Sequence, residues 1–360
     1  MEIYLDNAAS ARPLENLGLE TQFGNPNSTH KIGRRLKSKL EEAREKLATY
    51  FSTNPHGVIF TATATEANNL YVNSFDEVYC SHSEHSSVFN LPNTKKAIAM
   101  SSLGEIKFDA QQKEFQGTEL KFVSLIQTNN ETGVFFDYKQ LSVDPEVNTI
   151  VHLDCAQSAN WYDLKDVLQY ADAITLSSHK CGGPFGASAL VLSEKFLKKK
   201  LLKAQTLGGG QEYQLRAGTQ NVSASVGFVD AFLHSQTNRH KTLELARIQE
   251  QLALDLLNDS GLDYEYLCSR INKTPAIMSI WFKGCQAQEL QTLLDLNDVC
   301  ISLGSACKSG AVAESETFKA IGLPAQTSKE TIRVSFGWNT TVDEVKFGIE
   351  KIIKTVKELL

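Results

Sequence analysis

No apolar run in the 360 residues approaches the roughly 20 needed to cross a bilayer. The seven cysteines include no Cys-x-x-Cys pair, and none has a zinc-like spacing to histidine. A disulfide framework and a zinc site are therefore not expected, and a reducing compartment is. Positive charge is not in excess: 36 Lys and Arg stand against 42 Asp and Glu, a net charge of -6. That excludes a general nucleic-acid binder and leaves a local patch for an RNA or protein partner open. Internal repeats and low-complexity segments are missing too. The opening EIYLD reads as a strand, not as a signal or transit peptide, so a cytoplasmic location is expected.

What is present is ordinary for a globular protein, with 42% hydrophobic and 22% charged residues. The length allows one large domain and one smaller one. In the first part, short apolar runs alternate with helical stretches. Strands are expected at Val58–Phe60, Val78–Cys80, Ala97–Met100, Lys121–Ile126, Ile150–Asp154, Ala173–Ser177 and Ala189–Leu192. Helical patterns lie between several of them, as at Ile32–Tyr50 and Tyr162–Leu168. Alternation of this kind predicts an α/β fold, a mostly parallel seven-stranded sheet flanked by helices, with ligands beyond the carboxyl ends of the strands. After about residue 238 the pattern changes to a long helix at His240–Leu257. Strands follow at Ile277–Phe282, Val299–Leu303 and Ile332–Phe336, and an amphipathic helix closes the chain. The expected division is a large domain over 14–238 and a smaller α+β domain built from 1–13 and 239–360. The basic run KFLKKKLLK (195–203) reads as a solvated helix face.

Three strand ends carry chemistry. SSHKCGGPFG (177–186) follows the apolar run AITLS and places Lys180 just past a strand, in a turn that Gly182, Gly183, Pro184 and Gly186 prevent from continuing. Lys180 is either a surface lysine bordering a turn or an amine desolvated enough to form a Schiff base. HLDCAQS (152–158) puts Asp154 at a strand end, where it either starts a turn or pairs with a protonated ring nitrogen. TATATEANN (61–69) opens a helix after a strand. Its threonines Thr63 and Thr65 either cap that helix, with Glu66 in the first turn, or add hydroxyls to a phosphate site made by free backbone amides. Together the three point to pyridoxal 5'-phosphate (PLP). A fourth stretch, SLGSACKSG (302–310), sets Cys307 among small residues, with Lys308 beside it.

These motifs, with YLDNAA (4–9), GNPNSTH (24–30), SEHSSV (83–88), NNETG (129–133), GGGQE (208–212), RAGTQN (216–221) and IRVSFG (332–337), resemble the cysteine desulfurases. That family lies within the class V aminotransferase group of PLP-dependent enzymes, fold type I. The likeness runs almost from end to end, and the GSAC segment resembles the NifS/IscS-like branch of iron–sulfur maturation. The resemblance implies removal of sulfur from L-cysteine to give L-alanine and a persulfide on Cys307. Acceptors in iron–sulfur cluster assembly or tRNA thiolation would take that sulfur. It implies that Lys180 carries PLP through a Schiff base and that His85 stacks on the ring and moves protons. Asp154 would pair with the pyridine nitrogen, Gln157 would bond the phenolic oxygen, and Asn130 would lie beside it. Ala64, Thr65, Ser177 and His179 would hold the phosphate, with Thr219 reaching the phosphate of the other subunit of a homodimer. Arg333 would clamp the substrate carboxylate, with Asn7 also at the substrate. Lys308 would lower the thiol pKa of Cys307 by charge. No metal is expected.

The chain departs from the family pattern in places. DNAASARP carries Ser10, Ala11 and Arg12 where the family usually has Thr-Thr-Pro. Only ten residues separate Pro13 from Gly24, about half the family's usual stretch, and Trp338 stands where arginine is common. Cys181 follows Lys180 at a position that varies. Other class V chemistry, such as a selenocysteine lyase or an aminotransferase, is the alternative. A non-enzymatic paralogue is a third reading, against which Lys180, Asp154, His85 and Cys307 all speak.

Overall fold

The computed structural model describes residues 2–15, 23–108, 119–141, 148–304 and 314–360. Seven of its strands form one sheet: β2 (Val58–Thr61), β3 (Val78–Ser81), β4 (Thr94–Ile98), β5 (Lys121–Ile126), β6 (Thr149–Asp154), β7 (Ala173–Ser177) and β8 (Ser188–Leu192). Their order is β2-β8-β7-β6-β5-β3-β4. β8 runs antiparallel to both neighbours, and the other pairs are parallel. β7 and β8 are buried at every position, as expected for strands covered on both faces. One face packs against helices Lys31–Tyr50 and Val222–Asp259 through Leu36, Leu40, Leu47, Phe228 and Phe232. Helix Ala64–Val72 covers part of the other, placing Leu70, Tyr71 and Val72 with Ile59, Val78 and Leu190.

A second core lies around a four-stranded antiparallel sheet of order β12-β13-β10-β9. It contains β9 (Tyr264–Tyr266), β10 (Ile277–Phe282), β12 (Ser302–Leu303) and β13 (Thr331–Ser335). Met278, Ile280, Ile332 and Val334 pack there with Val345, Ile349, Ile352 and Val356 of the last helix, Val342–Leu359. Ile3 and Leu5 join this core from the chain start. The short β1 (Ile3–Tyr4) runs parallel to β11 (Val299–Cys300).

Several local expectations are corrected. The strand expected at Ala97–Met100 is Thr94–Ile98, with Met100 only in an isolated bridge to Ile106. Tyr162–Leu168 is not a helix. The Asp163 carboxylate accepts from the Lys165 amide at 3.0 Å, turning the backbone locally before a single 3-10 turn at Val167–Gln169. Val299–Leu303 is two strands, because Val299 and Cys300 pair with β1 while Ser302 and Leu303 pair with β13. β9 was not expected. The helix expected from His240 is the second half of Val222–Asp259, so residue 239 lies mid-helix. That helix gives Phe228 to the larger core and Ala253 and Leu257 to the second.

Candidate active site

Strands β5 and β6 end in step at the carboxyl edge of the large sheet, and β7 runs on past them to Ser177. Ile126 is in register with Asp154, and Asp154 with Thr175. Beyond these ends lies a cavity of about 530 Å³. Asp154 reaches it from the end of β6. One carboxylate oxygen accepts from Asn68 Nδ2 at 2.7 Å and the other from the Ala156 amide at 3.0 Å. Asn68 also donates to Ser87 Oγ at 2.8 Å, and that hydroxyl sits 2.8 Å from His85 Nδ1. Asp154 and His85 are thus linked through two neutral side chains. His85 Nδ1 accepts from the Ser87 amide at 3.2 Å, because His85 caps the short helix Ser86–Phe89. The proton of the neutral ring is therefore on Nε2. Burial, with the charge of Lys180, lowers the pKa of His85 against the pull of Asp154, so the ring is neutral near neutral pH.

Lys180 closes a 3-10 turn, Ser178–Lys180, directly after β7. Its amine donates to the carbonyl of Ala8, which also receives Gln157 Nε2 at 2.6 Å. Burial, helped by Arg333, lowers the amine from 10.5 to about 8, against the opposing charges of Asp6 and Asp154. A lysine in this state is a competent nucleophile near neutral pH. His179, beside it, is pushed down to about 4 by burial and by Lys180.

Thr63, Ala64 and Thr65 line the cavity at the start of helix Ala64–Val72. The Thr63 hydroxyl accepts from the Glu66 amide at 3.1 Å. The capping reading therefore holds for Thr63, whereas the Thr65 hydroxyl makes no such cap. A helix start of this kind favours an anion through its unpaired amides and dipole.

Arg333, on β13, enters from the smaller sheet. It donates to the Asn130 carbonyl at 2.8 Å and to Asp6 Oδ1 at 2.9 Å, and its buried Nε has no partner. Lys180, His85, Asp154, Gln157, Asn130, Ala64, Thr65, Ser177, His179 and Arg333 all line the one cavity. Asn7 does not. Its buried amide donates to the Ser335 carbonyl and to Thr340 Oγ1, each at 3.3 Å, tying the chain start to the residues after β13. Thr219 is exposed and lies outside the cavity lining. Cys307 and Lys308 fall outside the described residues. Among those described, no cluster of three or more His, Cys, Asp or Glu could hold a metal.

Sequence reading missed Asn68, Gln291, Ser302 and Leu303, all of which line the cavity. Asn68 carried a faint signal, one helical turn past Thr65 on the helix already singled out. Gln291 comes from a helix far along the chain and gave none, whereas Ser302 and Leu303 open the SLGSACKSG stretch singled out for Cys307. Glu84, in the SEH motif, was also passed over. It is buried, accepts from the Ile126 amide and Ser81 Oγ at 2.9 Å each, and is raised to about 8 by burial, with Asp154 adding to the rise.

A parallel α/β sheet with a desolvated lysine, an anchored aspartate and an anion-favouring helix start at its carboxyl edge defines a class of group-transfer enzyme. The family model for class V aminotransferases matches residues 3–347, and the chain belongs to that family. It is 28% identical over 393 residues to the cysteine desulfurase IscS of Vibrio vulnificus (strain CMCP6), covering 100% of this chain and 94% of that one. The likeness to a cysteine desulfurase of Nostoc sp. is also 28%, over 382 residues, covering 99% and 93%. The crystal structure of a NifS-like protein from Rickettsia africae superposes with a TM-score of 0.87 at 26% identity, covering 100% of this chain and 99% of that one.

Proposed function

We propose that the protein is a PLP-dependent cysteine desulfurase. The observation that carries this reading is the meeting of Lys180, Asp154, His85 and Arg333 in one cavity. Relatives named cysteine desulfurase that match over nearly the whole chain support it. The residues fit PLP. A lysine amine of lowered pKa would take its aldehyde, an aspartate fixed by two donors would pair with a protonated ring nitrogen, and a helix start would take the phosphate. When bound, PLP withdraws electrons from the substrate and so weakens its bond to sulfur.

Lys180 would hold the cofactor, and its Nζ is placed to move the α-proton of a bound substrate. His85, with its proton on Nε2, would pack on the cofactor and pass that proton on. Asp154 would hold a protonated ring nitrogen. Arg333 binds the substrate carboxylate through the N–H groups of its terminal nitrogens that Asp6 and Asn130 leave free. Cys307 accepts the sulfur: its thiolate bonds to the substrate sulfur as the carbon–sulfur bond breaks, giving alanine and a persulfide.

The reading extends to a cytoplasmic homodimer that hands sulfur to an iron–sulfur scaffold or a tRNA-thiolation protein. Exposed Phe185 and Leu207 support a second copy. Phe185 stacks on His179, and Thr206, next to Leu207, bridges to Arg216, which pairs with Glu66 at the start of the anion-favouring helix. The test is incubation of the protein with PLP and L-cysteine without reductant, followed by peptide mass analysis. A sulfur adduct on Cys307 together with free alanine is expected. Cofactor-loaded protein with neither product overturns the proposal.

A further inference from the structure

The stretch from Asp6 to Leu14 runs alongside the turn that carries Lys180. The Ala11 amide donates to the His179 carbonyl and the Leu14 amide to the Gly182 carbonyl, both at 2.9 Å. Contact is close. Gly182 has φ +81°, and a Cβ there would meet the Leu14 side chain at 3.2 Å, the Arg12 carbonyl at 3.3 Å and Trp338 Nε1 at 3.4 Å. Within this strap, Ala8 presents the carbonyl that receives both Lys180 and Gln157.

The strap is held from outside by the C-terminal part of the chain. Trp338 Nε1 donates to the Arg12 carbonyl at 3.0 Å. The Arg12 guanidinium pairs with Glu344 at 3.0 Å, near the start of the last helix. The Arg12 side chain is 31% exposed, so solvent screens that pair. The indole bond joins a backbone carbonyl, so it holds the path of the strap whatever the Arg12 side chain does. Trp338 itself is absent from the lining of the main cavity. Two sites at which the chain departs from the pattern it resembles, Ser10–Arg12 and Trp338, therefore meet on one strap.

We infer that Trp338 is a positioning residue for Lys180: by pinning the Arg12 carbonyl, alongside Ser335 Oγ, which accepts from the Ala8 amide at 2.9 Å, it keeps the Ala8 carbonyl against the lysine amine. The inference rests on the proposed function only for the identity of the group that Lys180 binds. Desolvation is the main cause that lowers the Lys180 amine, so a loosened strap raises its pKa toward that of a free lysine. The charged and titratable groups facing it, Asp6, Asp154, Arg333, His85 and His179, all remain in Trp338→Phe; Trp338→His adds an imidazole, ordinarily neutral over the alkaline range in which Lys180 titrates.

The test is competitive acetylation of the full-length protein, with and without PLP, from neutral to alkaline pH, reading the Lys180 peptide by mass. Trp338→Phe keeps the aromatic body and deletes the N–H. The labelling midpoint of the apoprotein is expected to move up by about half a unit or more, and PLP binding to weaken about fivefold, roughly 1 kcal/mol. Trp338→His restores a ring N–H and should bring the midpoint back toward the parent. Arg12→Ala, which spares the carbonyl, should leave it in place. An unchanged midpoint in Trp338→Phe, even with a lowered Tm, shows mere packing and overturns the inference. So does an equal shift in Trp338→Phe and Trp338→His, or a shift in Arg12→Ala as large as in Trp338→Phe. Should the parent fail to bind PLP, the functional reading falls, while the labelling of the apoprotein still decides the role of Trp338.

Discussion

Arg333 and Asp6, separated by 327 positions in sequence, are joined by a 2.9 Å ion pair at the cavity. An incoming carboxylate must share the guanidinium with Asp6. Arg333→Lys cannot present a planar fork. It is expected to lower kcat/KM for L-cysteine about 10- to 100-fold, chiefly through KM, with PLP binding retained. Asp6→Asn removes the competitor and is expected to lower KM. Steady-state kinetics of alanine formation check both, and an Arg333→Lys enzyme with unaltered KM would remove Arg333 from the substrate site.

The Lys180 amine is the second target. Its pKa is lowered to about 8, so the neutral, nucleophilic form grows as pH rises through that value. The rate at which apoprotein takes up PLP should therefore climb with pH to a plateau, with a midpoint near 8. Lys180→Ala should abolish the covalent product on borohydride reduction. Stopped-flow absorbance reads the first and intact mass the second.

Glu84 makes a stability prediction of definite sign. Its carboxyl is raised to about 8 from an ordinary 4.5, so the folded state holds its proton more tightly than the unfolded chain. Its contribution to stability is fully present below about 4.5 and is lost as pH rises through about 8, with a slope of at most about 1.4 kcal/mol per unit. Glu84→Gln keeps an acceptor for the Ile126 amide and Ser81. It should be more stable than the parent at pH above 8 and show a flatter Tm profile across that window, as read by calorimetry.

Arg44 and Glu212 form a buried bidentate pair with both bonds at 2.8 Å, and Glu212 also accepts from the Phe60 amide at 2.8 Å. Glu212 adopts φ +45°, within a run of three left-handed residues ending at Gln214. Removing the arginine strands a carboxylate that is 0% exposed. Arg44→Met is expected to cost about 3–5 kcal/mol in urea unfolding. A loss below about 1 kcal/mol would mean that Glu212 had found water or a proton.

Much of the site was legible along the chain because each part sits on its own short signal. The run AITLS announced a strand and the glycines after it a stop, so Lys180 had to lie at a strand end. HLDCAQ did the same for Asp154 and TATATE for the helix start. Asn7 shares its motif with Ala8 and Ala9 of the cavity lining but lies outside that lining itself. Its side chain was instead drawn to the Ser335 carbonyl, a partner that local pattern cannot reveal. Asn68 escaped notice because its value lies in one bond, to Asp154, across a gap of 86 residues.

The sequence by itself determined most strands of the large sheet, their order along the chain, and the chemistry waiting at their ends. Those depend on periodicity and turn residues within a few positions. Tertiary structure alone decided that Asp6 would occupy Arg333, that one Ala8 carbonyl would serve Lys180 and Gln157, and that Trp338 would pin Arg12. These contacts join the start of the chain to its middle and to its C-terminal part at the sheet edge. They exist because the start of the chain packs Ile3 and Leu5 into the core of the C-terminal sheet. Burial of that apolar surface drives the ends together, and the polar partners are then fixed by what the packing brings within reach.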